Sequence, residues 1–286
     1  MPAFNEEKNI APLIMKIAQL GYQVLVCDDA STDSTVMIAE KMGAIVVKHS
    51  TNKGYGSTLK TLFSKTRELN ADILVTIDAD GQHDYRDIQL LISSIKEKQA
   101  DIVIGSRFLN KKTKMPKYRE IGIKALTKFV NTIQDLDVSD SQSGFRAYSK
   151  KAIESLSLTE DSMGVSTEIL IKGAQQKLKI IEVPITVSYN GDTSTHNPVG
   201  HGLGVFGTTL KLISIKHPLS FYGITGIFFI GLGIFFTIWT ISSFSENRTI
   251  ITNQALLAIG SYIIGMVLLV TSVILFSIIS VVKEKS

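Results

Sequence analysis

Charge is missing from two long stretches of this chain. Pro218–Ser245 and Ala255–Val282 contain no Asp, Glu, Lys or Arg, and each is 28 residues long. About 20 apolar residues suffice to cross a bilayer as a helix, and a soluble core seldom needs uncharged helices of this length. Residues 218–245 and 255–282 are therefore expected to be transmembrane helices. Cysteine is nearly absent too. Cys27, inside the apolar run VLVCDD, is the only one, so no disulfide can form within the chain and a reducing compartment is expected. The start, MPAFNEEKN, lacks the basic-then-apolar layout of a signal peptide. A net charge of +4 gives no reason to expect a nucleic-acid partner. The five histidines show no HxxxH or HExxH spacing, which excludes the common zinc sites, and no GxSxG nucleophile elbow occurs.

Only nine residues, ENRTIITNQ (246–254), join the two runs, so they read as a hairpin with both long ends on one side. Lys211, Lys216 and His217 precede the first span and Lys283 and Lys285 follow the second, whereas the connecting loop sets Arg248 against Glu246. The positive-inside rule then places the N-terminal part and the tail in the cytoplasm of a multi-pass membrane protein, the membrane being the cell membrane if the organism is a prokaryote. Residues 201–217 are expected to run near the bilayer as an amphipathic juxtamembrane segment. Ser261 and Gly265 have the small-xxx-small spacing by which spans can self-associate into a homo-oligomer.

Residues 1–200 read as one domain. Strand signals at 22–29, 44–50, 72–80 and 101–108 alternate with helical stretches near 33–43, 55–69 and 84–98. This rhythm predicts an α/β fold with a mostly parallel sheet covered by helices on both faces. Ligands of such sheets bind beyond the carboxyl ends of the strands, where Asp28-Asp29 and Asp78/Asp80 fall. Residues 118–134 look amphipathic, with Ile121, Ala125, Leu126, Phe129, Val130 and Ile133 on one stripe. They form either a core-facing helix or one lying in a membrane surface. Seven Lys or Arg against one acid between Lys111 and Lys128 suit anionic headgroups or phosphate.

The stretch VTIDADGQHD (75–84) ends an apolar run in clustered carboxylates. Oxygen donors favour Mg²⁺ or Mn²⁺, which takes one or two carboxylates plus substrate phosphates. If the chain stays extended, Asp78 and Asp80 point to the same side. The alternative is that Asp80 and Asp84 cap the following helix. CDDASTDST (27–35) either binds base and ribose or caps a helix. NKGYGST (52–58), with Lys53, is a phosphate loop or simply a turn. Arg107 in GSRF and Arg119 suit phosphate by their forked geometry, or form surface ion pairs.

PAFNEE (2–7), DDASTD (28–33), NKGYGST, DADGQ (78–82), GSRF (105–108) and QSGFRAYSK (142–150) occur in this order. The series resembles the family 2 glycosyltransferases of GT-A fold, and more narrowly the dolichyl- or polyprenyl-phosphate sugar synthases, over about residues 1–190. The terminal hairpin is similar to theirs. The resemblance implies inverting transfer from a nucleotide sugar, a UDP-sugar in preference to GDP-mannose, onto dolichyl or polyprenyl phosphate. Pro2, Ala3, Phe4, Asn5 and Glu6 would line the base pocket, Asp28 and Asp29 would hold the nucleoside, and Lys53 would belong to the same site. Asp78, Asp80 and Gln82 would hold the metal and diphosphate, and Ser143, Gly144 and Phe145 would border the sugar. Arg107 and Arg119 would meet phosphates and, with Asp80, make up the catalytic set.

Three departures accompany the resemblance. An apolar strand normally precedes the first motif, whereas here Met1 directly precedes Pro2, so the first strand is expected to be missing and the true start to lie upstream. Ala30 stands where Gly is usual. After VPI (183–185) the usual Arg and Lys are replaced by TVSYNGDTSTHNPVGHG, so acceptor contacts fall to polar groups such as Asn190, Ser194 and His196. Two other classes compete. One is a glycosyltransferase with a non-lipid acceptor, disfavoured because the only tryptophan, Trp239, lies in a span and not in a QxxRW motif. The other is a non-enzymatic membrane-tethered sugar-nucleotide scaffold, which would have no use for clustered repulsive carboxylates.

Overall fold

The structure is a computed structural model, and it describes residues 1–109, 115, 117–134, 136–187, 214, 218–248 and 251–284. The chain divides into two compact units, Met1–Phe206 and Gly207–Ser286.

The first unit begins with β1 (Pro2–Ala3), α1 (Ile10–Gln19), β2 (Leu25–Asp28), α2 (Thr35–Lys41) and β3 (Ile45–Lys48). In α1 the residues Ile10, Leu13, Ile14 and Ile17 recur at helical spacing and are all buried. Pro12 is tolerated because it lies in the first turn, where backbone N–H groups have no intrahelical acceptor. β1, β2 and β3 form an all-parallel sheet in that order, with Pro2 opposite Cys27 and Ala3 opposite Asp28. The motif PAFNEE therefore starts on a strand of two residues, where no strand was expected.

Next come α3 (Tyr55–Glu68), β4 (Ile73–Thr76), α4 (Asp87–Lys98), β5 (Ile102–Ser106), α5 (Lys117–Gln134), β6 (Arg146–Ser149), α6 (Lys150–Ser155), α7 (Val165–Gln175) and β7 (Ile180–Pro184). The second sheet has the order β4-β6-β5-β7. β6 runs antiparallel to both β4 and β5, and β5 and β7 are parallel. The α/β class and the first, all-parallel sheet are as expected, and the second sheet mixes both directions. The physical cause is β6, which follows a long loop and carries no β-α-β rhythm in its sequence. Two buried clusters fill the unit, one around Ile10, Ile14, Val26, Leu91 and Val103, the other around Leu62, Phe63, Ile104, Tyr148 and Leu170. Among the described side chains of α5, Ile123, Thr127 and Val130 are buried, while Ile121 is 68% exposed and Ala125 is exposed, so these two leave the expected stripe.

In the second unit a π-helical turn, Leu219–Gly223, leads into α8 (Ile224–Asn247), and α9 spans Thr252–Glu284. Leu219–Ser245 and Thr252–Ile279 are long and apolar enough to cross a membrane. Small residues let the two helices approach. A Cβ on Gly265 would lie 2.9 Å from the Gly226 carbonyl oxygen, and one on Gly233 would lie 2.8 Å from the Tyr262 ring. Ser261 is buried. Of the small-xxx-small pair, Gly265 lies in this helix–helix contact.

Candidate functional site

Two stretches far apart in sequence, residues 5–7 and 28–35, form one laced structure. Asn5 N–H donates to Ser31 Oγ (2.9 Å), Thr32 N–H to Asn5 Oδ1 (2.9 Å), Glu6 N–H to Thr35 Oγ1 (2.7 Å) and Ser34 N–H to Glu7 Oε2 (3.0 Å). Asp33 accepts from Thr35 and from Glu7 N–H. Asn5 and Ala30 both have positive φ, 56° and 64°. Pro2 and Ala3 are buried in β1, and Phe4 is half-buried beside them. The Asn5 side-chain oxygen accepts from the Thr32 backbone.

The adjacent aspartates have different surroundings. Asp29 accepts from His49 Nδ1 (2.7 Å) and Lys53 N–H (2.9 Å) on one oxygen and from Gly54 N–H (2.8 Å) on the other. It fastens the glycine-bearing loop. Asp28 takes Ser31 N–H at 3.0 Å on Oδ2, while its buried Oδ1 has no partner among the described residues. The loop's glycines have a packing reason. Gly56 N–H donates to the Asp161 carbonyl at 2.9 Å, and a Cβ on Gly56 would collide with the Glu160 carbonyl oxygen. The start of α3 is thereby closed by the 160–162 backbone, and Lys53 points an exposed side chain outward.

β4 ends at Thr76, and the acidic motif follows as a turn with Gly81 at φ 72°. The chain is not extended through Asp80 as the alternation argument required. Asp80 Oδ1 accepts Gln82 N–H (2.9 Å), closing the turn. Asp84 pairs with the Arg86 guanidinium at 2.6 Å and its Oδ1 also accepts the Arg86 backbone N–H (3.0 Å), one residue before α4 begins. Asp78, one-third exposed, is held on Oδ1 by the Tyr55 hydroxyl (3.1 Å) and faces His83 Nε2 across 3.8 Å on Oδ2. Burial works against its ionisation, but His83, Tyr55 and the charge of Arg107 outweigh that and hold the carboxyl below its usual range. Glu6 shows the opposite shift. Burial raises its carboxyl, Asn9 partly offsets this, and the charges of Asp80, Asp33 and Asp78 raise it further. The first motif and the acidic turn therefore share one negative field.

Arg107 is nine-tenths buried and grips Asp140 with Nε and Nη2, both at 2.7 Å. Burial opposes ionisation of Asp140, and Arg107 more than compensates. The turn that carries Asp140 is itself caught by Glu182, which accepts Ser139 N–H (2.7 Å) and Asp140 N–H (2.9 Å). One edge of the guanidinium expected to meet phosphate is therefore committed to the fold. Ser143 and Phe145 are fully buried, and Ser143 Oγ has no partner among the described residues. Arg119 lies on α5 with its side chain outside the described residues, and Ser194 and His196 lie outside them altogether.

Residues not singled out from sequence also converge here. Tyr55 and His83 flank Asp78, and Arg146, fully buried, donates to the Ser166 and Ser141 carbonyls at 3.0 and 2.8 Å. Tyr55 and His83 sat inside quoted motifs, but nothing in their spacing separated them from turn residues. Among the described residues no three His, Cys, Asp or Glu side chains form a ready metal cage. A hard cation can take only one or two carboxylates and complete its shell with diphosphate oxygens.

A sequence model described as "Glycosyl transferase family 2" matches residues 1–157. Of curated relatives, the UDP-N-acetylglucosamine–dolichyl-phosphate N-acetylglucosaminyltransferase of Methanococcus voltae is 36% identical over 211 residues, covering 66% of this chain and 84% of that protein. Glycosyltransferase AglJ of Haloferax volcanii is 28% identical over 293 residues, covering 99% of this chain and 94% of that one. The crystal structure of glucosyl-3-phosphoglycerate synthase from Mycobacterium tuberculosis with Mn²⁺ and uridine-diphosphate-glucose has a TM-score of 0.59 at 23% identity, over 74% of this chain and 76% of that one, a likeness of fold. Because the match to residues 1–157 takes in more than half of the 286-residue chain, the protein belongs to glycosyl transferase family 2.

Proposed function

We propose that this glycosyltransferase moves a sugar from a nucleotide sugar to the phosphate of dolichyl or polyprenyl phosphate at the cytoplasmic face of a membrane. The observation that carries the lipid acceptor is the pair of helices, Leu219–Ser245 and Thr252–Ile279, long and apolar enough to span a bilayer. The activity named for the Methanococcus voltae relative supports the same acceptor and favours UDP as the nucleotide.

In this reading Asp28 Oδ1, Asn5 and Phe4 receive the nucleoside, and Asp29 keeps the neighbouring loop in place. Asp78, Asp80 and Gln82 would hold Mg²⁺ or Mn²⁺, which when bound neutralises charge on the departing diphosphate. Ser143, Gly144 and Phe145 border the sugar. Arg107 acts mainly by its charge and by holding the Asp140 turn, and Arg119, Ser194 and His196 are the candidates for the acceptor phosphate. A phosphate oxygen of the lipid attacks the anomeric carbon as the bond to the nucleotide breaks. A phosphate monoester is already an anion near neutral pH, so the site needs orientation and charge stabilisation more than a general base.

The test uses membranes containing the protein, polyprenyl phosphate, Mn²⁺ or Mg²⁺, and a panel of radiolabelled UDP- and GDP-sugars. Label is expected in the organic phase from a UDP-sugar. Transfer that persists in excess chelator would remove the cation from the reading, and label found only on water-soluble acceptors would remove the lipid.

A further inference from the structure

The proposed transfer gives no task to His83, yet its surroundings are unusual for an idle residue. Its side chain is 8% exposed, and Nδ1 is buried with no partner among the described residues. The ring lies against Phe145, centroids 5.1 Å apart, and its backbone bridges antiparallel to Val187. An apolar ring would fill this space without burying an unmatched nitrogen. What an apolar ring could not do is face Asp78.

Asp78 is enclosed on three sides. Tyr55 holds Oδ1, the Gly144 backbone lies against both oxygens, and His83 Nε2 stands 3.8 Å from Oδ2. That separation exceeds hydrogen-bond length, as is common for site contacts that tighten only in a complex. We propose that His83 is a positioning residue that fixes the orientation of the Asp78 carboxylate for a divalent cation. The inference rests on the reading that Asp78 and Asp80 hold that cation. Groups that orient metal-bound side chains commonly change affinity 10–100-fold when removed.

The experiment measures free Mn²⁺ by EPR while it is titrated into the full chain in nanodiscs with UDP present. Wild type is expected to bind, and Asp78→Asn to lose binding. His83→Phe, which keeps a ring on Phe145, is expected to weaken Mn²⁺ affinity at least about tenfold, with kcat at saturating Mn²⁺ within about twofold of wild type. His83→Leu is the second variant without a donor and is expected to behave alike, so a folding defect in one leaves the other to decide. His83→Gln, with an amide N–H, is expected to recover most of the affinity. Wild-type affinity in both non-donor variants overturns the inference alone. Failure of wild type itself to bind Mn²⁺ overturns the cation reading and the inference together.

Discussion

The Gly144 backbone packs directly against the carboxylate of Asp78. A Cβ at this position would lie 2.9 and 3.1 Å from the two carboxylate oxygens and 2.7 Å from the Tyr55 hydroxyl. Gly144→Ala is therefore expected to displace Asp78 and lower kcat/KM by at least tenfold, about 1.4 kcal/mol, while the protein still folds. Steady-state transfer assays beside circular dichroism check this, and an unchanged kcat/KM would count against the contact.

Asp80→Asn removes charge from the acidic turn without changing its shape. Turnover is expected to fall by at least about 100-fold, roughly 2.7 kcal/mol, with an unchanged melting temperature. Turnover near wild type would exclude a role for Asp80 in holding a cation.

The Arg107–Asp140 pair is a stability element. Removing one partner of a buried pair strands the other charge and costs about 3–5 kcal/mol, so Asp140→Ala is expected to lower the denaturation midpoint markedly. The pH dependence has a definite sign. Asp140 is depressed in the folded state, so its contribution is present above the ordinary Asp value of ~3.9 and is lost as pH falls through the lower folded value. Asp140→Asn is expected to flatten part of the acid limb in a stability-versus-pH series.

Ala30 sits at φ 64°, a left-handed conformation that costs a residue with a Cβ about 1–2 kcal/mol. Glycine relieves this but gains freedom when unfolded, worth about 0.4–1 kcal/mol. Ala30→Gly is expected to be stabilising by roughly 0.5–1 kcal/mol, the difference of those two effects. Chemical denaturation checks it, and a destabilised variant would contradict the strain.

Cys27 is fully buried beside His49, with Sγ 3.7 Å from Nε2, and burial pushes its thiol up to about 11. The geometry resembles a Cys–His–Asp relay, but a thiol so shifted carries little thiolate at neutral pH. No reaction with a thiol reagent is expected in the native protein at pH 8, and one equivalent after unfolding. Rapid native labelling would show that the strand opens.

Composition and periodicity alone determined that the chain carries two runs long and apolar enough to cross a membrane, that strand and helix alternate ahead of them, and that acidic groups lie at strand ends. These are properties of runs, and runs survive without knowledge of contacts. The motif series added the family. What only tertiary structure decided were the partners. Asp28 and Asp29 are adjacent and chemically identical, yet one carboxylate fastens a loop and the other keeps a buried oxygen open. Arg107 faces Asp140, 33 residues away, and Gly265 lies against Gly226 and Ile230 of the other helix. The reversed strand β6 and the enclosure of Asp78 by Tyr55, His83 and Gly144 come from segments far apart in the chain. Packing brings those segments together, and local sequence preference does not encode which distant group will fill a given space.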